Sequence, residues 1–529
     1  MPVWPKNLMK LGTSVLTIRM AARLRRKRGA FDAQRAAFAG LVRRLAATSH
    51  WRTAGIEPGL SYEEFRTRVA PPAHEQLTPA IERMQRGEAD VLWPGGCHFF
   101  AATSGTTTGK AKLLPVTAHM LAHFRRATRD AVLYYTSRVG HAGVFAGRHL
   151  FLGGATGLTA IAAVKPAEAY AAELGGIISL GLPAEADQHL LEPGTTISQM
   201  TEGLAKFDAI AARTTRTDIS LIAGLPNWVL GFANALRETS KSGPARPADR
   251  PVFWPNLECL IHAGVPIGPF RRELRAALGP KVKFHEVYPA CEGFIAAQDA
   301  EPEAGLRLMA DTGIFFEFLP LADFDETRLG QLGAKAVPLA EVKGGVDYVP
   351  LVTTPAGLAR YCLGDIVRFT STEPPRLVYV GRTTLRLATF GERVVERELT
   401  DALVAVCHRH NWSLVNFHVA PRLVADRTRQ NHGTHEWWIE LRPGLNETPT
   451  GPNLAVELDS ELQRFSPEYA ARRKAGAIGA PVVRLVMPGV FEHWLRYRGQ
   501  WGGQNKMPRC RSDRLVADEL AQMTNFAQD

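Results

Sequence analysis

Apolar and polar positions follow two different periods through the middle of the chain. Short apolar runs rich in β-branched and aromatic residues predict buried strands at 149–154, 220–225, 257–264, 283–288, 313–320 and 377–381. Apolar positions at helical spacing predict helices between them, over 226–238 and 268–278. Strands that alternate with helices are typical of an α/β domain, and the alternation extends from residue 99 to about residue 385.

The N-terminal region reads as helix over 19–48, and Ser61 with Glu64 forms the sequence signature of a capping box. The basic cluster 23–28 is compatible with a nucleic acid or a membrane surface, but a solvated helix face is the preferred interpretation. Four prolines between 240 and 255 predict a loop. Glu317, within the strand at 313–320, is expected to face solvent.

The regular alternation of strands and helices ends after Arg382, and a different order of elements follows. Helices are predicted at 396–406, 453–465 and 490–498, and strands at 414–421, 437–443 and 481–489. This is a small α+β unit of ordinary domain size. We therefore expect a large N-terminal α/β domain over 1–385 and a smaller, mobile C-terminal α+β domain over 386–529.

Composition describes a globular protein, with 45% hydrophobic and 22% charged residues among 529. The net charge of +11 permits anionic partners without identifying one. Six widely spaced cysteines without a CxxC pair fit a reducing compartment. Neither a signal peptide nor an apolar run of membrane-spanning length is present, although the Arg-rich N-terminus leaves a mitochondrial presequence open. We expect a cytoplasmic monomer that binds no nucleic acid.

The first candidate for chemistry is the stretch FFAATSGTTTGKAKLLP at 99–115. Two glycines bracket three threonines, and two lysines follow, so hydroxyls, flexible backbone and cations converge on one turn. Such a loop suits a polyanion, most simply a nucleotide phosphate chain. A P-loop is excluded because only three residues separate Gly105 from Gly109, and Ala111 replaces the Ser or Thr that binds Mg²⁺. The G-x-G-x-x-G pattern also fails.

Further pieces follow in a fixed order. VYPACEGF places Tyr288 and Glu292 on a turn after a short strand, and RYCLGDIVRF places Asp365 between an apolar run and the next strand. GGQNKMPR near the C-terminus carries Lys506 on a Gly-rich loop. Taken singly, Glu292 could cap a helix, Asp365 could close a turn and Lys506 could be a surface lysine. Their order with the loop at 99–115 is what distinguishes this chain.

In that order the motifs resemble the acyl-adenylate-forming enzymes, and among them the Gretchen Hagen family of auxin-responsive acyl acid amido synthetases in its bacterial-type form. The similarity covers nearly the whole chain, including WPNLECLIHAGVP and GIFFEFLP. The resemblance implies a phosphate-binding role for Ser104, Gly105, Thr106, Thr107, Gly109 and Lys112.

The resemblance also implies roles for single residues. Tyr288 would lie by the adenine, Glu292 would help to hold Mg²⁺, and Asp365 would accept hydrogen bonds from the ribose hydroxyls. The hinge to the small domain would contain Arg382 and Thr384. Lys506 would reach across to the reacting carboxylate and the α-phosphate. The cofactors implied are ATP and Mg²⁺.

The chain departs from the family pattern at three places. Cys291 stands where serine is common, Cys362 stands where arginine is usual, and the hinge reads Thr383-Thr384 without the acidic residue of the wider superfamily. These departures concern nucleotide affinity and domain closure. The acyl pocket is expected to draw on 152–157 and 221–232.

The expected function is an ATP-dependent ligase that joins a small carboxylic acid to an amine, usually an amino acid. An acyl- or aryl-CoA synthetase with the same first step is the alternative. A nucleic-acid-binding protein would need aromatic residues among the basic cluster, which lacks them. A zinc site built on Cys407, His408 and His410, or on His432 and His435, lacks the spacing of a four-ligand centre.

Overall fold

The computed structural model describes residues 6–26, 29–103, 112–164, 167–180, 190–200, 203–241, 254–423, 433–442, 449–498 and 507–526. The chain divides into two compact units. The larger unit contains Met1–Val265, Leu274–Leu363 and Val367–Val378, and the smaller unit contains Pro266–Glu273, Gly364–Ile366 and Tyr379–Asp529. Within the described part of the chain, no helix has both the length and the hydropathy needed to cross a bilayer.

The α-helices of the described residues are α1 Lys6–Leu24, α2 Gly29–Leu45, α3 Ser49–Thr53, α4 Tyr62–Arg68, α5 His74–Gln85, α6 Ala118–Val139, α7 Leu174–Leu180, α8 Thr195–Ser198, α9 Gly203–Thr214, α10 Pro226–Lys241, α11 Arg271–Leu278, α12 Leu329–Leu332, α13 Glu396–His410, α14 Gly451–Phe465, α15 Pro467–Lys474, α16 Val490–Tyr497 and α17 Leu515–Phe526. Single 3₁₀ turns lie at Gly143–Ala146, Gly268–Phe270, Pro302–Ala304, Leu321–Asp323, Glu326–Arg328, Gly333–Lys335 and Leu339–Glu341.

The strands of the first half are β1 Phe99–Ala102, β2 Leu113–Val116, β3 Arg148–Leu152, β4 Thr159–Val164, β5 Ala167–Ala172, β6 Leu191–Glu192, β7 Ile219–Gly224, β8 Cys259–His262, β9 Lys283–Ala290, β10 Gly293–Ala297 and β11 Leu306–Leu308. The remaining strands are β12 Phe315–Pro320, β13 Val337–Pro338, β14 Asp347–Thr353, β15 Tyr361–Cys362, β16 Asp365–Thr372, β17 Pro375–Arg382, β18 Arg386–Leu387, β19 Val394–Val395, β20 Ser413–Leu423, β21 Gly433–Arg442 and β22 Val482–Val486.

The larger of the sheets orders its described strands β13-β12-β14-β16-β17-β11-β10-β9-β8-β7-β3-β6, and β15 pairs with β14. Strands β9, β8, β7, β3 and β6 are parallel to one another. Strands covered on both faces can carry nearly continuous apolar runs, and β7 and β8 do so apart from Ser220 and His262. A second sheet orders its strands β2-β1-β5-β4, with β1 parallel to β5.

The smaller unit has its own core. Its sheet orders the described strands β20-β21-β22, in which β20 and β21 are antiparallel and β22 is parallel to β21. Trp437 and Phe417 stack at 5.9 Å between ring centres, and both are buried among apolar side chains that include Leu454 and Leu458 of α14. This confirms the predicted α+β unit.

Most predicted elements are confirmed, including the Ser61–Glu64 capping box of α4. Two predictions for the N-terminal region are wrong. The helix predicted over 19–48 is two helices, since α1 ends at Leu24 and α2 begins at Gly29. Arg23 is also not on a solvated face, because its guanidinium pairs with Asp130 and Asp311.

Glu317 does not face solvent. Its side chain is 1% exposed, and it accepts hydrogen bonds from Arg360 and Tyr62. Arg360 is equally buried and donates further to the carbonyls of Arg66, Val69 and Gly333. The buried carboxylate is tolerated because the Arg360 guanidinium neutralises its charge and donates hydrogen bonds to it.

Candidate active site

Four loops of the larger unit leave the parallel strands at one edge of the sheet. Strands β3, β7, β8 and β9 end at Leu152, Gly224, His262 and Ala290. Parallel strands share a direction, so the loops after them lie side by side. In open α/β sheets this carboxyl edge is where ligands bind. The stretches 152–157 and 221–232, expected to form the acyl pocket, both extend beyond this edge.

Glu292 is presented by a tight hairpin at this edge. Ala290 of β9 pairs with Gly293 of β10, which leaves Cys291 and Glu292 as the two residues of the turn. A Cβ added to Gly293 would overlap the Ile314 side chain, so the residue that follows the turn must be small. The Glu292 side chain is half-buried. It lies on a turn, as predicted, and does not cap a helix.

A buried histidine holds this hairpin in place. The N–H of Phe294 donates to Nε2 of His123 at 2.9 Å, and Nδ1 of His123 donates to the carbonyl of Thr312 at 2.9 Å. Burial lowers the pKa of His123 to about 4, which keeps the ring neutral. The neutral ring can therefore accept from one side and donate to the other.

Tyr288 lies within β9, opposite Ala296 of β10. The prediction that it shares the turn with Glu292 is therefore wrong, because β9 continues to Ala290. The Tyr288 ring is half-buried and packs against the main core of the larger unit. Tyr288 and Glu292 nevertheless belong to the same hairpin, with Tyr288 in its first strand and Glu292 in its turn.

A group of polar side chains surrounds Tyr361 in the larger unit. Its hydroxyl lies 3.3 Å from Nδ1 of His74, the first residue of α5. Burial raises the pKa of Tyr361, and the charges of Glu292 and Glu75 raise it further. Lys112 Nζ lies 3.8 Å from Glu75 Oε1. These five residues are called the Tyr361 cluster below, and they bring Lys112 and Glu292 into one electrostatic neighbourhood.

The predicted phosphate loop begins and ends on neighbouring strands. Ala102 of β1 pairs with Leu113 of β2, and the N–H of Thr103 donates to the carbonyl of Lys112 at 2.9 Å. Ser104, Gly105, Thr106, Thr107 and Gly109 lie outside the described residues. Their assignment stays a prediction, and so does that of Lys112.

Asp365 is the first residue of strand β16 and is assigned to the smaller unit. It is 5% exposed, and its Oδ1 lies 3.2 Å from Nε of Arg382. Gly364 precedes it with φ of 70°, a conformation that favours glycine. The Gly364 carbonyl accepts from the N–H of Thr383 at 2.8 Å. The turn at 363–365 is thus tied to the segment that contains Arg382.

The predicted hinge residues lie in a tight turn. Leu385 N–H donates to the carbonyl of Arg382 at 3.2 Å, and Thr384 is exposed at the turn's tip. The smaller unit resumes at Tyr379, a few residues before the predicted domain boundary at 385. A hinge role for Arg382 and Thr384 stays a prediction, as do the domain limits.

Lys506 lies outside the described residues, but the segment after it is firmly anchored within the smaller unit. Met507 is 7% exposed. Val419 N–H donates to the carbonyl of Arg509 at 2.9 Å, and Arg511 N–H donates to the carbonyl of Val419 at 3.1 Å. The chain after Met507 is thus held beside β20.

Sequence reasoning missed two residues of this region. Tyr361 stands within the quoted motif RYCLGDIVRF, directly before Cys362, so attention to all of its side chains would have found it. His123 gave no signal, because a single histidine in an amphipathic helix resembles any other core position. Its role appears only when Phe294, far along the chain, is brought to it.

The histidines considered for zinc have other partners. His410 lies 2.7 Å from Glu457, and the buried His435 lies 2.9 Å from Glu392. His432 lies outside the described residues. Among the residues that are described, no group of three His, Cys, Asp or Glu side chains is arranged to hold a metal ion.

Three family models match the chain in order. The GH3 family N-terminal domain matches residues 24–155, the central domain matches 307–382 and the C-terminal domain matches 397–515. Together they account for more than half of the chain.

Individual proteins are similar over nearly the full length. A protein of Oryza sativa subsp. japonica named probable indole-3-acetic acid-amido synthetase GH3.12 is 26% identical, covering 92% of each chain. The structure of AtGH3.15 acyl acid amido synthetase in complex with 2,4-DB aligns with a TM-score of 0.76 at 16% identity, covering 99% of this chain and 97% of that one. A 2-hydroxyisobutyryl-CoA ligase in complex with 2-HIB-AMP aligns at 0.56 and 15% identity, covering 94% and 91%. These structural likenesses concern the fold.

Proposed function

The chain belongs to the GH3 family, and from this premise we propose that it is an ATP-dependent acyl acid amido synthetase. It activates a small carboxylic acid as an acyl-adenylate and transfers the acyl group to an amine, with release of AMP and pyrophosphate. The family is the Gretchen Hagen family that the motif order resembled, so that prediction is confirmed, as is the predicted adenylate-forming fold.

The observation that carries the function is the agreement with an amido synthetase along nearly the entire length of both chains. All three family domains are matched in order, so the similarity is not confined to a nucleotide-binding part shared with other ligases. The names of the relatives point to amino acids as acceptors. We take an amino acid as the amine, and we leave the acid open to experiment.

The first step joins two anions, since a carboxylate must attack the α-phosphorus of ATP. A new C–O–P linkage forms and the bond to pyrophosphate breaks. Groups that neutralise negative charge are therefore the principal requirement. We assign the phosphates to Ser104, Gly105, Thr106, Thr107, Gly109 and Lys112. Support comes from the place of Lys112, which closes the mouth of this loop and shares the Tyr361 cluster with Glu292.

We assign the nucleoside to Tyr288 and Asp365. Tyr288 has a half-buried ring on β9, near the carboxyl edge of the sheet, where an aromatic face suits adenine. Asp365 is 5% exposed and paired with Arg382. A carboxylate fixed in this way can accept hydrogen bonds from both ribose hydroxyls.

The residues present also fit a magnesium ion. Glu292 offers a half-buried carboxylate on a turn at the sheet edge, and carboxylate oxygens are ligands that Mg²⁺ prefers. We propose Glu292 as its protein ligand. When bound, the ion would supply positive charge beside the phosphates. Because His123 fixes the hairpin, the position of this carboxylate is set before substrates arrive.

Lys506 is assigned to the charge that grows between carboxylate and α-phosphate. The anchored segment from Met507 onward supports this, because a lysine next to a fixed point can be delivered with the smaller unit as a body. Such domain motion would exclude water during adenylation and admit the amine afterwards. Arg382 and Thr384 are proposed as the hinge. We further propose that the enzyme is cytoplasmic, which six cysteines outside any disulfide support, and that it acts as a monomer.

The direct test is pyrophosphate release over a panel of carboxylic acids, with and without each amino acid. The expected result is formation of AMP and pyrophosphate that depends on the acid, and formation of amide that depends on the amino acid. ADP and phosphate as products would contradict adenylation. Formation of a thioester with coenzyme A, and of no amide with any amino acid, would favour the CoA-synthetase alternative.

A further inference from the structure

Glu173 lies where the carboxyl edges of the two sheets of the larger unit meet. It directly follows β5, which runs parallel to β1 with Ala172 opposite Ala101. Glu173 and Ala102 therefore leave the sheet at the same level. Since Ala102 and Thr103 lead into the predicted phosphate loop, Glu173 stands beside the entrance of that loop.

The other side of Glu173 contacts the turn after β3, here called the glycine turn, residues 153–158. A Cβ added to Gly154 would overlap the Glu173 carboxyl group, so the carboxylate packs directly on the Gly154 backbone. Gly176 of α7 approaches the same turn, where an added Cβ would lie 2.8 Å from the Cα of Thr156. Glu173 thus touches the turn that we expect to line the acyl pocket and is level with Ala102, which leads toward the predicted phosphate loop.

Lys206 of α9 holds the glycine turn in place through hydrogen bonds. Its side chain is buried, and Nζ donates to the carbonyl of Gly154 at 2.8 Å and to that of Ser198 at 3.0 Å. Thr156 N–H also donates to the carbonyl of Ser198. The position of Gly154, and of the carboxylate packed on it, is therefore fixed by a buried cation.

The Glu173 carboxylate takes part in no hydrogen bond or ion pair with any residue that the structure describes. The start of α7 does not need it, because the backbone carbonyl of Glu173 accepts from the N–H groups of Gly176 and Ile177. Burial raises the pKa of Glu173, and the charge of Lys206 opposes this; Lys206 is the charged group that acts on it among the described residues. A half-buried carboxylate with spare acceptor capacity is suited to receiving a proton.

We infer that Glu173 is the general base for the amine in the second half-reaction, an inference that rests on the proposed function. The acceptor arrives as an ammonium ion, which cannot attack a carbonyl. One ammonium proton passes to a Glu173 oxygen, and the nitrogen lone pair then forms the C–N bond of the amide. The C–O bond to the adenylate breaks, AMP leaves with that electron pair, and the second proton leaves the nitrogen with the AMP phosphate. Glu173 then returns its proton to solvent.

The place of Glu173 agrees with this chemistry. Under the proposed function, the phosphate end of the mixed anhydride would lie beyond Ala102 and Thr103 and its acyl end at the glycine turn, with the carbonyl between them. Glu173 is level with Ala102 and packs on Gly154, which would place its carboxylate near the reacting carbon.

The test separates the two half-reactions of Glu173→Gln by single-turnover kinetics. Adenylate formation should proceed as in the unaltered enzyme. Amide formation with an amino acid should fall about 10²–10⁴-fold, the usual contribution of a general base. Hydroxylamine, which is already a free base at neutral pH, should still be acylated at close to the original rate. Glu173→Asp should recover part of the lost rate, and Glu303→Gln, an exposed glutamate of the same unit, is the matched control.

The pH profile provides a second readout. In the unaltered enzyme the rate of amide formation should fall as the pH drops through the raised pKa of Glu173, and Glu173→Gln should lose this dependence. Equal losses with the amino acid and with hydroxylamine would overturn the inference and assign Glu173 to structure. Unchanged rates with both, or a loss confined to adenylate formation, would also overturn it. Failure of the unaltered enzyme to form any adenylate would instead remove the proposed function on which the inference rests.

Discussion

His123 and Phe294 are joined by a hydrogen bond from the Phe294 N–H to the His123 imidazole at 2.9 Å, two residues beyond Glu292. His123 belongs to α6 and Phe294 to β10, so the bond fixes the turn of a hairpin to the helix packed behind it. The ring is 3% exposed and also bonds to the carbonyl of Thr312. The hairpin that carries the proposed magnesium ligand is therefore held by a residue buried in the core of the larger unit.

Replacing His123 by alanine should destabilise the protein and impair nucleotide binding. A buried N–H left without an acceptor costs about 1–3 kcal/mol. Because the hairpin carries Glu292, KM for ATP should also rise. Denaturant unfolding and steady-state kinetics measure the two effects, with the exposed His408→Ala as control. Full stability together with an unchanged KM would show that the hairpin does not depend on this ring.

Acid should weaken the folded state before the carboxylates titrate. Burial lowers the pKa of His123, His149 and His418 to about 4, and that of His285 to about 3, from an ordinary value near 6.5. The unfolded chain therefore binds more protons than the folded one below that ordinary value. Stability should be complete above about pH 6.5 and should fall as the pH drops toward about 4. Urea unfolding at several pH values checks this, and a flat free energy of unfolding over that range would contradict it.

Glu317 and Arg360 form a buried pair whose disruption should be costly. Their closest atoms are 2.8 Å apart, and both side chains are at most 1% exposed. Arg360→Met leaves a buried carboxylate without its cation, which should cost about 3–5 kcal/mol. The double variant Arg360→Met with Glu317→Leu should regain much of this loss. The exposed pair of Arg35 and Asp32 provides the comparison, since Asp32→Ala should cost under about 1 kcal/mol. Equal costs for the two single variants would refute the account of this pair.

Asp365→Ala should mainly weaken the binding of ATP. A carboxylate that bonds to ribose hydroxyls acts in the ground state, so KM for ATP should rise more than kcat falls. Isothermal titration calorimetry measures the affinity, and Asp347→Ala, at an ion pair with Arg368, is the control. Unchanged ATP affinity in a folded variant would leave Asp365 as a turn residue only.

Lys506→Ala should slow adenylate formation by about 10²–10³-fold, the usual effect of removing one contact made to the transition state. Amide formation from a supplied acyl-adenylate should suffer much less, because in the proposed domain motion the lysine leaves the reacting carbonyl before the amine attacks. Single-turnover kinetics of each half-reaction, with circular dichroism to check folding, distinguish the two. Lys474→Ala, on the exposed end of α15, is the control. Equal losses in both halves would indicate a structural role.

The elements of the fold were largely readable from the sequence, because local signals decide them. The apolar run of β8 and the Ser61–Glu64 capping box are encoded within a few residues of each other. Glu317 was misread because its partner Arg360 lies 43 positions away, and strand periodicity cannot reveal a buried cation. The helix over 19–48 was misread because α1 ends at Leu24 and α2 begins only a few residues later at Gly29, so the sequence pattern stays helical on both sides.

The order of the motifs was enough to predict the candidate site residues. It did not predict the residues that hold them in place. Glu292 was expected on a turn, where it lies, whereas Tyr288 was wrongly placed there because the end of β9 could not be located. Tyr361 could have been found within its motif, whereas the roles of His123 and Glu173 become visible only when separate elements are assembled. The sequence around a single side chain does not indicate which distant residues will pack against it.

The central claim is that an acyl-adenylate is the intermediate, and the fate of the acid's oxygen tests it most directly. The acid that gives the fastest pyrophosphate release is labelled with ¹⁸O in its carboxylate and incubated with ATP and an amino acid. Attack on the α-phosphorus transfers one carboxylate oxygen to AMP, so mass spectrometry should find AMP carrying one ¹⁸O atom. Label in inorganic phosphate, or amide formation with unlabelled AMP, would contradict the account.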